Sequence, residues 1–145
     1  MFAILYVILA FLNNFLLIMV FIIRRSQNWE RVKKIGYVYL SLSVPAIFSL
    51  IQAYIENKSS DFVIFISIFL IFLFLELLFD HILKIDFRSK NKWYLLVPYL
   101  LFYYAMNYGF VVMVWLINPY LGITMLGLFL IQIFVNVISH KKGNS

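Results

Sequence analysis

The chain has 145 residues, of which 65% are hydrophobic and 12% are charged, with a net charge of +6 and no cysteine. Soluble domains are about half apolar and about a quarter charged, so water is the wrong solvent for most of this surface. The lack of cysteine excludes disulfides, thiolate metal sites and cysteine nucleophiles. Because the basic residues cluster between apolar segments, we expect them to set membrane orientation and expect no nucleic acid as a partner.

Five apolar segments, each about 20 residues long, are long enough to cross a lipid bilayer as helices. In chain order they are Phe2–Ile23, Ile35–Ile55, Phe62–Leu83, Trp93–Ile117 and Leu121–Ser139. The sequence therefore predicts an all-α integral membrane protein, a bundle of five transmembrane helices that forms one transmembrane domain over residues 1–145. The lipid bilayer is its expected partner, and a multi-pass position in a membrane is its expected location.

The connections between these segments predict the orientation. "RRSQNWERVKK" is a charged loop, "ENKSSD" a polar turn, "KIDFRSKNK" a basic loop and "NPYLG" a tight turn. Eleven of the twelve lysines and arginines fall in the first loop, the third loop and the tail, and only Lys58 falls on the opposite side. Because cytoplasmic loops carry an excess of basic residues, we expect the N-terminus outside and the C-terminus in the cytoplasm.

The third segment carries ionisable side chains that need an explanation. Glu76, Asp80 and Lys84 are spaced i, i+4, i+8 and so share one helix face. Asp80 and Lys84 can pair near the inner interface, but Glu76 lies about 12 Å deeper. An ionised carboxylate at that depth costs on the order of 3 kcal/mol. We therefore expect Glu76 to face the bundle interior and either pair with a donor or hold a proton.

Polar residues on the other segments reach a similar depth. Counted from the cytoplasmic ends, Asn14, Ser43, Tyr103 and Gln132 lie roughly 13–15 Å deep. Tyr99, Tyr103 and Asn107 form one stripe on the fourth segment, and Gln132, Asn136 and His140 one on the fifth. The candidate ligand-binding set is therefore Glu76, Asn14, Ser43, Tyr99, Tyr103, Asn107 and Gln132. The alternative is that these groups only join helices, each hydrogen bond contributing about 0.6 kcal/mol.

A proline, a pair of small residues and two histidines bear on helix shape, assembly and metal binding. Pro45 lies inside the second segment and predicts a kink. Ala105 and Gly109 form a small-xxx-small pair that suggests the seam of a homo-oligomer. His81 and His140 are the only histidines, and His81 is turned about 140° away from Glu76 around the helix, so no metal site is predicted.

Three functions remain open, and no catalytic residue or cofactor is identified. The preferred one is a binding or transport protein for a small solute, an ion or a proton, centred on Glu76. The second is a membrane-embedded enzyme that acts on lipid or isoprenoid head groups at the cytoplasmic leaflet. It would use an interfacial charge cluster made of Asp80, His81, Lys84, Asp86 and Arg88. The third is an accessory subunit of a membrane complex.

Overall fold

The computed structural model describes residues 2–25, 29–82 and 93–143, and within these ranges the chain is helical without a strand. The helices are α1 (Phe2–Arg25), α2 (Trp29–Leu40), α3 (Ser43–Ile55), α4 (Ser60–Glu76), α5 (Trp93–Ile117) and α6 (Pro119–Gly143). Directly after α4, the residues Leu77–Ile82 form a π-helix.

Five helical stretches are long and apolar enough to cross a membrane. They are Phe2–Arg24, Glu30–Ile55, Ser60–Phe79, Trp93–Ile117 and Pro119–Ile138. Helices α2 and α3 together form the second of these stretches. The predicted all-helical fold with five helices of spanning length is therefore confirmed.

Several boundaries differ from the predicted ones. Helix α2 begins at Trp29, whereas the predicted segment began at Ile35, so the end of the predicted charged loop is helical, with Glu30 placed favourably in the first turn. Helix α6 begins at Pro119, where the fixed φ of proline suits a first helical position. The side chain of Asn118 accepts a hydrogen bond from the backbone N–H of Tyr120 at 3.0 Å and so caps this helix.

The proline in the second stretch divides it into two helices. Residues Ser41 and Leu42 form a turn between α2 and α3. Pro45 has no N–H to donate to the carbonyl of Ser41, and the N–H of Val44 donates to it instead at 3.2 Å. Because Pro45 lies in the first turn of α3, its missing N–H breaks no bond within that helix. At the predicted kink the structure thus has a two-residue turn, across which hydrogen bonds such as that from Ala46 N–H to the Leu42 carbonyl at 3.0 Å continue.

The helices pack around α1 and α5. Helix α1 contacts α2, α3, α5 and α6, while α5 also contacts α4 and α6, and α3 packs on α4. At one end of the bundle the backbone N–H of Phe2 donates to Glu56 at 3.2 Å, and the ammonium of Lys58 lies 5.9 Å from the Phe2 ring. We call this the Lys58 end. Arg24 and Arg31 lie at the opposite end, which we call the Arg24 end.

The outer faces of the helices carry large apolar side chains. Ile4, Leu101 and Phe134 are each about two thirds exposed, at 67%, 67% and 66%. Similar side chains are exposed along every spanning stretch, including Val44 on α3 and Phe74 on α4. An apolar surface of this extent is suited to contact with hydrocarbon and unsuited to water.

Two glycines allow close helix contacts within the chain. A Cβ added at Gly109 would lie 2.2 Å from the Phe65 ring of α4, and one added at Gly122 would lie 2.5 Å from the Cα of Trp115. Gly109 is buried, so its small size already serves the contact between α4 and α5. The homo-oligomer stays a prediction, but the glycine of its suggested seam faces inward.

We predict that Gly122→Ala lowers the stability of the bundle by about 1–3 kcal/mol, because its new methyl group overlaps backbone atoms of α5 that cannot rotate away. Gly127→Ala on the same helix is the matched control, since an added Cβ there meets nothing within 4 Å. Thermal unfolding in detergent compares the two variants. Equal unfolding midpoints would show that α5 and α6 do not approach as closely as described.

Candidate functional site

Polar side chains form a buried layer in the interior of the bundle. Within the described ranges, the buried polar and charged residues are Asn13, Asn14, Ser49, Glu76, Asn107 and Gln132. The hydroxyls of three buried tyrosines join them, those of Tyr39, Tyr99 and Tyr103. Because an apolar surrounding offers no hydrogen bonds, these groups have to satisfy one another or bind water.

Gln132 joins three helices through its side-chain amide. Its Nε2 donates to Oδ1 of Asn14 on α1 at 2.8 Å and approaches Oδ1 of Asn107 on α5 at 3.5 Å. Its Oε1 accepts a hydrogen bond from the hydroxyl of Tyr103 on α5. The amide of Gln132 is therefore used on both sides, and it holds α6 against α1 and α5.

The two asparagines bonded to Gln132 each also donate to a backbone carbonyl of their own helix. Nδ2 of Asn14 donates to the carbonyl of Ala10 at 3.1 Å and lies 3.9 Å from the sulfur of Met125. Nδ2 of Asn107 donates to the carbonyl of Tyr103 at 2.9 Å. Because these groups already have partners, this part of the layer is suited to joining helices.

Glu76 occupies a different part of the interior. It is the last residue of α4, it is only 9% exposed, and its Oε1 accepts a hydrogen bond from the hydroxyl of Tyr99. The ring of Phe72 packs 5.2 Å from the Tyr99 ring and covers this pair. Glu76 thus lies inside the bundle beside a donor, as the cost of exposing a carboxylate to hydrocarbon predicts.

The helix changes form immediately after this carboxylate. The π-helix begins at Leu77, the residue that follows Glu76. Segments of π-helix are rare and occur frequently at functional sites, because the wider turn displaces side chains and frees backbone groups. The position of this segment distinguishes Glu76 from the amides bonded to Gln132, which lie in regular α-helix.

A narrow cleft reaches the tyrosines from the Arg24 end. Its polar lining comes from Arg24, Tyr99, Tyr103 and Asn136, and Phe21 contributes to its apolar lining. The guanidinium carbon of Arg24 lies 5.8 Å from the centre of the Phe21 ring. The cleft has a volume of about 20 Å³, which is enough for a single water molecule. Tyr99 therefore lies between Glu76 and a space of water size.

Two members of the layer were missed by the sequence analysis. The hydroxyl of Tyr39 donates to Oδ1 of Asn13 at 2.7 Å and lies 3.9 Å from the sulfur of Met106. Neighbouring residues on a helix point about 100° apart, so Asn13 and Asn14 face different helices. Two adjacent asparagines in an apolar segment were the available sign of a second polar contact, but only Asn14 was included in the predicted set.

Most residues of the predicted ligand-binding set are buried and hydrogen-bonded to one another, but they form two separate clusters. Glu76 meets Tyr99, while Asn14, Tyr103, Asn107 and Gln132 form the group around the Gln132 amide. Ser43 is half-buried in the first turn of α3, and none of the hydrogen bonds described for the layer includes it.

The predicted interfacial charge cluster lies largely outside the described residues. Asp80 and His81 belong to the π-helix, but their side chains lie outside the described part, as does the side chain of His140. Lys84, Asp86 and Arg88 fall between residues 83 and 92, which the structure does not describe. The predictions for these residues therefore stay predictions.

Comparisons with known proteins give no relative. No family model, no curated protein and no solved structure matches the chain.

We predict that Tyr103→Phe destabilises the bundle by about 1 kcal/mol, because it leaves the buried Oε1 of Gln132 without its donor. Tyr104→Phe is the matched control on the next residue, since Tyr104 is 47% exposed and its ring contact with Phe129 is kept. Unfolding in mixed micelles measures both variants. Equal stabilities would mean that the hydrogen bond contributes nothing to the fold.

Proposed function

We propose that the chain is a multi-pass membrane protein that binds and transports protons through the carboxylate of Glu76. The wider expectation from the sequence was a small solute, an ion or a proton. The size of the cleft beside Tyr99 favours the proton, because a space of about 20 Å³ admits water and excludes larger solutes.

Membrane insertion is supported by the exposed apolar faces and by the five stretches of spanning length. The proposed orientation places the Lys58 end outside and the Arg24 end in the cytoplasm. Arg24, Arg31, Lys33 and Lys34 all belong to the latter end, whereas Lys58 is the only basic residue described at the other. This distribution follows the positive-inside rule.

The observation that carries the proposal is the position of Glu76 and Tyr99. A buried carboxylate that is bonded to a hydroxyl has two chemical states, ionised and protonated. In the ionised state the Tyr99 hydroxyl donates to it and offsets part of its desolvation. Tyr99 also lines the cleft of water size, so the residue that donates this bond adjoins a space that can hold a water molecule. Ionisable residues inside membrane helices commonly mark proton or ion pathways.

The other two functions have weaker support. The enzyme hypothesis depends on Asp80, His81 and the basic residues that follow them, whose side chains lie outside the described part of the chain. The accessory-subunit hypothesis requires a partner helix against the polar layer. The described members of that layer are buried by helices of the same chain.

We predict that single cysteines label from opposite sides of the membrane. The chain has no cysteine of its own, so Ser59→Cys and Glu30→Cys each create a unique labelling site. Both positions are exposed, one in the turn before α4 and the other in the first turn of α2. A membrane-impermeant maleimide applied to intact cells should label Ser59→Cys only, and permeabilisation should be needed for Glu30→Cys. The reverse pattern would contradict the orientation, and labelling of both from outside would contradict the topology.

We predict that Glu76→Gln abolishes proton flux. Glutamine keeps an acceptor oxygen for the Tyr99 hydroxyl but cannot bind and release a proton at neutral pH. The assay is acidification of liposomes that contain the purified protein and a trapped pH-sensitive dye, driven by a potassium diffusion potential. Glu30→Gln is the matched control, because Glu30 is exposed on α2.

The wild-type protein and Glu30→Gln should acidify the liposomes at the same rate, and Glu76→Gln should match empty liposomes. A Glu76→Gln variant that folds and retains the wild-type rate would remove Glu76 from the pathway. Tyr99→Phe should show an intermediate rate, since the carboxylate persists without its donor.

A further inference from the structure

Three buried polar atoms in the described part of the chain have no hydrogen-bond partner from the protein. They are the hydroxyl of Tyr6, Nδ2 of Asn13 and the hydroxyl of Ser49. All three side chains are completely buried, with an exposed fraction of 0%. A buried polar group left unsatisfied costs about 1–3 kcal/mol, so most such groups in proteins bind another polar group or a water molecule.

These groups lie on helices that pack together. Tyr6 and Asn13 are seven residues apart on α1, which places them on one face about 10 Å apart along the axis, with Ala10 between them. Ser49 belongs to the buried face of α3, together with Ala46 and Ala53. Helices α1 and α3 contact each other directly. Small side chains therefore adjoin the unsatisfied groups on both helices.

We propose that water molecules bound to Tyr6, Ser49 and Asn13 form a file along the contact between α1 and α3, and that this file is the outer access path to Glu76. We call it the α1–α3 water file. The polar groups are of the kind that holds buried water, whereas a dry cavity is lined by apolar groups. The role of the file as an access path rests on the proton transport proposed above.

The file has a defined outer limit. Tyr6 lies one turn from Phe2, whose backbone N–H meets Glu56 at the Lys58 end. The rings of Phe62 and Phe110 pack against the Tyr6 ring, with centroids 5.3 and 5.6 Å away, and the Tyr6 hydroxyl is buried. The proposed file therefore begins at Tyr6, one turn inside the Lys58 end.

The inner limit of the file lies at the bond between Asn13 and Tyr39. The hydroxyl of Tyr39 donates to Oδ1 of Asn13 at 2.7 Å. The ring of Phe72 packs against both Tyr39 and Tyr99, at 6.4 and 5.2 Å. Phe72 thus links the Tyr39 end of the file to Tyr99, the donor to Glu76, and Tyr99 also lines the cleft that includes Arg24. The proposed file approaches this pair from the Lys58 end, and the cleft approaches it from the Arg24 end.

The chemistry of the file fits proton transfer. A hydronium ion that enters passes one proton along hydrogen-bonded waters to the Glu76 carboxylate, and it is left as water. Hydroxyls both donate and accept hydrogen bonds, so Tyr6 and Ser49 can take part in such a chain, while Nδ2 of Asn13 only donates and orients its water. Release of the same proton on the Tyr99 side restores the carboxylate.

The first test measures water at Ser49 without reference to transport. Ser49→Cys places the only thiol of the chain in the proposed file, and Val114→Cys places a thiol of similar size to valine at another fully buried site. Infrared spectroscopy in liposomes follows exchange of the S–H hydrogen after transfer to D₂O. The thiol of Ser49→Cys should exchange many times faster than that of Val114→Cys. Equal, slow exchange in both variants would overturn the water file.

The second test measures whether the α1–α3 water file is an access path for protons. Ser49→Ala should lower the rate of liposome acidification severalfold, because it removes a hydroxyl that holds water. Ser67→Ala is the matched control, since the hydroxyl of Ser67 already donates to the carbonyl of Val63 at 2.8 Å. An unchanged rate in Ser49→Ala would overturn the access path. Fast thiol exchange together with a wild-type rate in Glu76→Gln would keep the water file and reject the proton-transport function.

Discussion

A polar group inside this bundle has to be satisfied by the protein or by bound water, because the apolar shell around it offers no hydrogen bonds. Glu76 shows this constraint most clearly, since it carries a carboxylate to the interior and meets the hydroxyl of Tyr99 there. The same requirement fixes how the helices face one another. A rotation of α5 that exposed Tyr99 would take the hydroxyl away from the carboxylate. An ionised carboxylate in an apolar interior costs on the order of 3 kcal/mol, which is a large part of the roughly 5–15 kcal/mol that stabilises a folded domain.

The parts of the polar layer that join helices differ from the proposed functional parts in how many of their hydrogen-bonding atoms have partners in the protein. Gln132 uses both atoms of its amide, and its partners Asn14 and Asn107 use their own amides in turn, so this group holds α1, α5 and α6 together. Glu76 and Tyr99 differ because a cleft of water size adjoins them and a π-helix follows. Tyr6, Asn13 and Ser49 differ again, since the two hydroxyls and Nδ2 of Asn13 have no hydrogen-bond partner among the described residues. The residues to test for function are therefore those that adjoin the cleft or have an unsatisfied buried atom.

Much of the fold could be predicted because the hydropathy of a segment, and the charged or turn-forming residues that end it, can be read from the local sequence. The bounds of Trp93–Ile117 agree with the prediction at both ends, since a basic loop and an Asn-Pro pair flank it. The hydrogen-bond partners were harder to predict, because the depth of a residue along its helix does not say toward which neighbouring helix its side chain points. Depth alone grouped Ser43 with Gln132, although the described bonds of the layer exclude Ser43. The turn before Pro45 and the π-helix after Glu76 depend on packing against neighbours, which no single segment encodes.

We propose that Glu76 binds and releases a proton inside the bundle. Infrared difference spectroscopy of the protein in liposomes tests it most directly, because a protonated carboxyl group has its own C=O stretching band. We expect a carboxyl band that appears reversibly as the pH is lowered, that shifts in Tyr99→Phe and that is missing in Glu76→Gln. A spectrum in which Glu76→Gln removes no pH-dependent band would contradict it.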